Sequence, residues 1–437
     1  MIFLIIFAVL FSSETKANFN DFFGTGVTTS IIGGQSNGRI GDPNNIYYSP
    51  AIHAWNQNIN LVANLQSVSH DFKDINNIVT KNSTNNTNSS SQYTERSNVK
   101  VDYPDYKNNV FGVILPIKSQ GAGNLAATYS GPVGSIIEAN TGNPTAPEYV
   151  MYHSRYRRSM IEVHYAHPFS ENFALSLGTK IGLQTGADVN TQASLSGTGY
   201  GSSGAAKAKV GPSMAGIFSA ALKFESLFTY FLFSQEMKQY LHTNVNGEIN
   251  DPPAPFDVTV DSMLYYDPYT FRIGGGYKTS ALDLLASVEY QLWSGYRTPV
   301  MHITKKTFIV SSNDYEKINT KNIFIPRLGT LIHFGESFDW GIGALYRPTP
   351  LKGDFSGAGN SIDTNTYALS TGPLLRMKIF NKEIETGLSF QSQKLENKIV
   401  TKSTRQENGN TGDKIGAPGF TVGGKILTYA VGIKITL

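Results

Sequence analysis

Apolar residues recur at every second position along most of this chain, and that alternation limits its possible folds more than any motif does. Leu282, Leu284, Ala286, Val288, Tyr290 and Leu292 would share one face of a strand, with Asp283, Leu285, Ser287, Glu289 and Gln291 on the other. The C-terminus sets Tyr429, Val431, Ile433, Ile435 and Leu437 against Thr428, Ala430, Gly432, Lys434 and Thr436. Phe173, Leu175, Leu177, Ile181 and Leu183 alternate in the same way with Ala174, Ser176, Gly178, Lys180 and Gly182. A period of two is the period of a pleated strand. The apolar face would meet a core in a soluble sandwich. In a transmembrane barrel it would meet lipid, leaving small and charged residues to line the lumen.

Connection lengths separate these two readings. Strand-like segments run 57–72, 108–117, 121–130, 159–167, 171–183, 214–223, 226–237, 269–278, 281–293, 322–334, 338–347, 365–379, 382–391 and 422–437. The links between them alternate. Short ones are 118–120, 168–170, 224–225, 279–280, 335–337 and 380–381; long ones are 73–107, 131–158, 184–213, 238–268, 294–321, 348–364 and 392–421. Short turns at one end and long loops at the other are the organisation of an outer-membrane barrel, and nothing in a sandwich sorts its loops this way. The sequence therefore predicts an all-β transmembrane antiparallel barrel of about fourteen strands, closed so that no strand edge faces lipid. Tyr277, Tyr290, Trp293, Phe338, Trp340 and Tyr346 lie near strand ends, where an interfacial girdle would place them.

The other ordinary classes find little support. Charged residues make up 16% of the 437 and the net charge is +3, so there is no long-range attraction for nucleic acid. The absence of cysteine removes disulfides, thiolate metal sites and cysteine nucleophiles. The eight histidines (His53, His70, His153, His164, His167, His242, His302 and His333) show no paired ligand spacing beyond His164-x-x-His167, which a strand would point to opposite faces. Gly274-Gly275-Gly276 runs on as strand rather than opening a helix, so it is no nucleotide loop. With no Gly-x-Ser-x-Gly elbow, a lipid-modifying barrel enzyme is the weaker alternative; no catalytic residue, metal or cofactor is expected.

Two segments precede the barrel. Ile2 to Phe11 is apolar and Ser12 to Ala17 is polar, ending in an acceptable cleavage site, so residues 1–17 read as a signal peptide. No Lys or Arg precedes the apolar run, as a start codon placed late would explain. Residues 18–56 do not alternate, and are rich in Gly, Asn, Ser and Asp, which suits a compact, turn-rich segment. It either folds inside the lumen as a plug or hangs loose in the periplasm. The barrel proper would then span 57–437.

The stretch Gly41-Asp42-Pro43-Asn44-Asn45-Ile46-Tyr47-Tyr48-Ser49-Pro50-Ala51 resembles the plug of the FadL family, in which an Asp with Asn and aromatic residues leads into an Asn-Pro-Ala step. Ser49 stands in place of that Asn. Asp267 to Tyr277, Val288 to Ser294 and Trp340 to Pro350, with Ser361 to Thr364 and Tyr367 to Gly372, are similar to later strands of the family in the same order. The chain ends in Leu437, where such barrels usually carry an aromatic residue. The resemblance implies an outer-membrane transporter of long-chain fatty acids or aromatic hydrocarbons. Such a transporter works without an energy source, capturing substrate on external loops and releasing it sideways through the barrel wall as the plug shifts.

The family groove is formed by the third and fourth external loops, here 184–213 and 238–268. The fourth supplies Phe256, Met263, Leu264, Tyr265 and Tyr266, although the last two could equally anchor the loop to the rim; the third offers only Leu195, Tyr200 and Val210. Arg272, Arg297 and Arg327 are candidates for a carboxylate head group. They could equally be lumen charges paired with Glu289, Glu383 or Glu385. Implied partners are outer-membrane lipid and lipopolysaccharide, a hydrophobic small molecule and the barrel-assembly machinery, with the protein a monomer. A general diffusion porin is the closer alternative, and it would leave the lumen open.

Overall fold

The period-two segments pair into a closed wall. The computed structural model describes residues 19–83, 93–101, 103, 105–117, 122–134, 147–152, 157–194, 201–250, 253–297, 302–306, 319–352, 361–380, 382–402 and 416–437. Residues 1–17, read as a signal peptide, lie outside them.

The strands begin with β1 (Asn60–Phe72), β2 (Ile75–Ser83), β3 (Tyr93–Val99), β4 (Tyr106–Pro116) and β5 (Asn124–Pro132). Next come β6 (Met160–Pro168), β7 (Phe173–Gly182), β8 (Thr185–Ser194), β9 (Gly201–Val210) and β10 (Ser213–Lys223). They continue with β11 (Leu227–Ser234), β12 (Met237–Asn250), β13 (Pro253–Asp267), β14 (Tyr269–Lys278), β15 (Leu282–Leu292) and β16 (His302–Lys306). The last are β17 (Ile323–Phe334), β18 (Phe338–Arg347), β19 (Thr366–Ile379), β20 (Lys382–Thr401) and β21 (Gly419–Thr436).

Fourteen of these close an antiparallel barrel in the order β1-β21-β20-β19-β18-β17-β15-β14-β11-β10-β7-β6-β5-β4. The β1–β21 seam runs unbroken from Asn60 opposite Thr436 to Phe72 opposite Gly424. Leu61, Leu65, Phe111, Leu125, Leu177, Ile273, Leu284, Phe324, Leu328, Leu369 and Val431 all point outward and exposed. Water would charge such a surface about 25 cal/mol per Å², so the wall belongs in lipid. No helix among the described residues is long and apolar enough to span a membrane.

The fourteen sequence segments each correspond to one barrel strand, but the long links are not all loops. Links 184–213 and 238–268, with part of 294–321, form a five-stranded sheet ordered β16-β13-β12-β9-β8. β2 and β3 make a separate hairpin, and β20 runs on to Thr401 where the sequence reading stopped at 391. Gly, Ser and Asn in these stretches hide the alternation because, beyond the membrane, neither face must be apolar.

Candidate functional site: an occupied lumen under an apolar cap

Residues 19–56 lie inside the barrel. Short helices form over Phe19–Phe23 and Val27–Ser30, and 3-10 helix over Pro43–Asn45 and Pro50–Trp55. Three features of the sequence hold the segment there.

The first is a glycine wall. Gly329 on β17 faces Gly343 on β18, Gly341 faces Gly372 on β19, and Gly387 on β20 faces Gly432 on β21. All six have inward positions, so this side of the lumen has bare backbone where side chains would stand. The segment lies flush on it. A Cβ added to Gly329 would come within 2.6 Å of the Ile32 carbonyl oxygen, one on Gly341 within 2.6 Å of Ile31 Cδ1, and one on Gly387 within 2.8 Å of Val27 Cγ1. The Gly33 amide donates to Ser370 Oγ at 3.0 Å. Close backbone approach of this kind is open only to glycine.

The second is an internal polar network built from the motif residues. The Asp42 carboxylate accepts from Thr28 Oγ1 (2.7 Å), Asn37 Nδ2 (2.7 Å) and the Asn44 amide (3.1 Å). Burial opposes ionisation of Asp42, yet Lys434 and these donors hold its carboxyl below the ordinary value. Asn45 exchanges bonds with Asn37, and Ser49 Oγ bonds Ser36 Oγ at 2.6 Å. Gly41 takes a positive φ of 79°, Pro50 opens its 3-10 turn, and Ala51 is wholly buried. Tyr48 donates to the Asn20 carbonyl at 3.1 Å.

The third is buried charge. On neighbouring strands Arg272 and Arg327 share Glu289, at 2.5 and 3.0 Å. Arg272 also donates to the Tyr47 carbonyl at 3.1 Å, and its guanidinium lies over the rings of Tyr47 and Tyr48. Asp21 Oδ1 stands 3.6 Å from Arg272 and accepts the Tyr47 hydroxyl. Burial, then the nearby Glu289 charge, push the Asp21 carboxyl up. At the short-turn end Arg39 joins Asp339 and Glu385, while His333 bridges Asp339 (2.7 Å) and Asp283 (3.1 Å). Lys278 donates to the Gly38 carbonyl at 2.8 Å.

Above the segment, towards the long links, an apolar cluster closes the barrel. Phe22 and Phe23 meet Phe72, Tyr149, Tyr152, Met263, Tyr266, Trp293, Tyr296, Ile325, Ile362 and Phe420. Tyr149 stacks on Phe72 with centroids 4.5 Å apart, and Arg347 lies 4.4 Å from the Phe22 ring centre. A polar ladder ties this cap to the charges below: Trp293 Nε1 donates to Gln291 Oε1 (3.0 Å), and Gln291 in turn donates to Glu289.

The candidate residues separate here. Met263 and Tyr266 enter the cap, whereas Leu264 and Tyr265 pack with Val210 on the other side of β13. The β12–β13 register slips at this point, pairing Gln239 with Tyr265 and Tyr240 with Met263. Both tyrosines are also anchored: Tyr266 donates to Glu236 (2.9 Å) and Tyr265 lies under Arg158. Phe256 falls on β13, with its side chain outside the described set. Arg272 and Arg327 are buried against Glu289, and Arg297 is exposed beyond Tyr296. Leu195 and Tyr200 lie outside the described residues. Trp293 corrects the girdle reading: it is 1% exposed and faces inward, because Leu292 takes the outward position. Sequence reasoning passed over Phe22, Phe23, Tyr149, Tyr152 and Arg347. The apolar run Tyr149-Val150-Met151-Tyr152 inside a long polar link was the available signal.

Two cavities flank the occupied lumen. One of about 1010 Å³ opens at the short-turn end around Trp55, Asn56, Asn124, Asn172, Lys223 and Leu437. The other, about 500 Å³, is an apolar groove on the outer wall formed by Leu61, Ala63, Phe111, Val113, Tyr129 and Ile433. At Gly112 the wall between this groove and the lumen carries no side chain, and a Cβ there would come within 2.8 Å of Pro43 Cβ.

Together these features define a class: a fourteen-stranded membrane barrel whose lumen is occupied by its own N-terminal segment. No protein-family model matches the chain, and no curated protein matches it in sequence. Solved structures do. A Pseudomonas aeruginosa FadL homologue superposes with a TM-score of 0.62 at 12% identity, over 97% of this chain and 99% of that one. The Pseudomonas putida toluene transporter TodX gives 0.51 at 10% identity, over 95% and 99%. The CymD monoaromatic hydrocarbon channel gives 0.51 at 10%, over 96% and 99%. The chain has the fold these barrels share.

Proposed function

We propose that this chain is an outer-membrane transporter that takes up hydrophobic compounds by passive diffusion, with residues 18–56 as the plug that gates it. The observation that carries this reading is the apolar cap resting directly on the occupied lumen. An apolar solute can partition into the cap, but it meets a blocked barrel axis. Structures of the same fold are named for cargo of that kind, toluene and monoaromatic hydrocarbons. An open diffusion pore would instead keep its lumen wet and clear.

On this reading the long links face the cell exterior among lipopolysaccharide, and the 1010 Å³ cavity opens to the periplasm. Met263 and Tyr266 meet the solute in the cap, while Leu264 and Tyr265 brace β13 behind them. The outer groove beside Gly112 is where it leaves for the bilayer, once Pro43 withdraws. Arg272 acts through the plug it holds, and Arg327 through the Glu289 that it shares with Arg272. Assembly is by the barrel-assembly machinery, as a monomer.

The test is conductance together with uptake of oleate and toluene, with and without residues 18–56. A closed barrel that takes up either probe, and conducts ions once the segment is removed, supports the proposal. Steady conductance by the intact protein, with neither probe taken up, would leave a porin.

A further inference from the structure

One side of the lumen carries a column of polar groups that the lumenal segment leaves unbonded. Inward on β7 and β10, Ser176 stands opposite Ser219 and Gly182 opposite Ser213. On β6, His164 lies opposite Gly178 and Glu162 opposite Lys180. From the short-turn end upward the order is Ser176 with Ser219, then His164, then Glu162, then Ser213. Each is 2% exposed or less, and His53 on the facing turn is wholly buried. The three serine hydroxyls, both nitrogens of each histidine, both oxygens of Glu162 and Gln239 Oε1 have no hydrogen-bond partner in the protein. The nearest approach among them is His164 Nε2 to Glu162 at 3.8 Å.

So many buried groups left dry would together cost as much as the whole stability margin of a folded chain. Water satisfies them, and it is small enough for a seam walled by Ala, Ser and Gly. The column also has two mouths. Below, the 1010 Å³ cavity reaches Ala54, which rests on Ala166 and Ala174 just beneath Ser176. Their methyl groups form a short apolar step. Above, a Cβ on Gly182 would come within 2.5 Å of Ser213 Oγ and 3.1 Å of Gln239 Oε1, so these two polar atoms converge there. Gln239 Nε2 donates to the Leu183 and Gly211 carbonyls, each at 2.7 Å, and a Cβ on Gly211 would meet nothing within 4 Å. At about 3.3 Å per residue the run from Ser213 to Ser219 spans roughly 20 Å.

We infer that this column is a file of water crossing the barrel beside the seated segment, so that the protein passes water while it is closed to ions. Fixed charge makes the distinction. Beside Glu162, Asp267 is held by Arg158 at 2.6 Å and by Lys180 at 3.0 Å. A free ion of either sign would have to shed its hydration in a narrow seam and pass fixed charge of its own sign. Water, being neutral, does neither. The activity is separate from whatever the cap binds and needs no movement of the lumenal segment.

The test reconstitutes the purified protein in phosphatidylcholine–cholesterol vesicles and follows their shrinkage by stopped-flow light scattering after an osmotic step. A trapped potassium-sensitive dye reports ion leak in the same preparation. Wild-type vesicles should shrink at least about twice as fast as protein-free ones, with ion leak no greater than theirs. Ser176→Leu fills the column and should return shrinkage to the protein-free rate. Because the chain has no cysteine, Ser176→Cys places a single thiol in the column at almost unchanged size. Mercuric ion should abolish the water flux of that variant and 2-mercaptoethanol should restore it, while the wild type is unaffected. If Ser176→Leu does not fold, this reversible block decides alone. Shrinkage no faster than without protein, or flux through Ser176→Cys that mercuric ion leaves intact, would overturn the inference. So would water flux that always comes with ion leak, which would mean that the segment leaves its seat. Uptake of oleate and toluene tests the transport reading separately and does not depend on these results.

Discussion

Gly343→Val tests whether the glycine wall is what holds the segment. The new Cβ would stand 2.6 Å from Ile32 Cα, with the Ile32 carbonyl carbon and Gly33 nitrogen nearer still. Ordinary contact begins at 3.4 Å and the neighbours are backbone, so the segment must retreat by roughly 1 Å before the valine methyls are counted. Retreat breaks the Gly33–Ser370 bond, about 1 kcal/mol. It also lifts Ile31 and Ile32, both fully buried, from the wall, at some fraction of the ~1.5–3 kcal/mol each gains from burial. A total of about 3 kcal/mol would shift the seated-to-released ratio by about two powers of ten. The assay is single-channel recording in planar bilayers, on protein shown to be folded by its heat-modifiable mobility. The wild type should stay closed, and Gly343→Val should open towards the conductance of the barrel lacking 18–56. Gly211→Ala, whose Cβ meets nothing within 4 Å, should behave as wild type. A folded Gly343→Val barrel as silent as the parent would refute the argument.

Glu289→Gln strips the shared carboxylate from two buried guanidiniums, a loss of about 3–5 kcal/mol, and should lower the temperature at which the folded band disappears on gels. Arg39→Ala releases Asp339 and Glu385 at the short-turn end, and amide exchange at Gly38–Gly41 should accelerate. The Asp42 carboxyl is held below its ordinary value, so its contribution is complete above that value and is lost as pH falls through the lower, folded one. Wild-type barrels should therefore begin to open below about pH 4, and Asp42→Asn should already be looser at pH 7 and lack that step. Trp293→Ala empties an inward site at about 3–5 kcal/mol, a loss in thermal stability that an interfacial indole would not give.

How much of this was legible follows from which forces leave a periodic trace. Lipid on one side and lumen on the other impose a strict period of two, so the membrane strands stood out; on β15 the phase was right at every position from Asp283 to Gln291. Above the membrane that constraint lapses, and β8, β9, β12 and β13 read as loops although they are paired throughout. The lumen was partly legible. Asp42, Asn45 and Ser49 could be marked as a motif, and their bonds are local, within the segment. The glycine wall was not, because its six members lie on five strands and become neighbours only through register. The pairing of Arg272 and Arg327 with Glu289 was open as one alternative, since lumen phase placed all three inward without saying which would meet.

The two sides of the lumen restrain the segment differently, and that asymmetry bears on where resistance to its movement lies. On β17 to β21 the restraint is steric and continuous, with Val27, Ile31 and the Ile32–Gly33 backbone laid on bare wall backbone. On β6, β7 and β10 the wall presents side chains, and several are buried without hydrogen-bond partners. Both oxygens of Glu162, both ring nitrogens of His164 and the hydroxyls of Ser176 and Ser219 are in that position, as are both nitrogens of His53 on the facing 3-10 turn. Buried polar groups left this way cost about 1–3 kcal/mol each unless water reaches them. The Pro50–Trp55 turn is nonetheless seated there, Ala54 against Ala166 and Ala174, Trp55 under Lys223, and the His53 and Asn56 carbonyls on Asn124, but these contacts are made by wall side chains that can shift, whereas Val27–Gly33 rests on bare wall backbone. Substitutions that unseat the segment should accordingly be concentrated among the wall glycines. A bulky residue at Ser176 or Ser219 would press on neighbours that include movable side chains, and so would cost less than the same bulk at Gly343, where the neighbours are backbone.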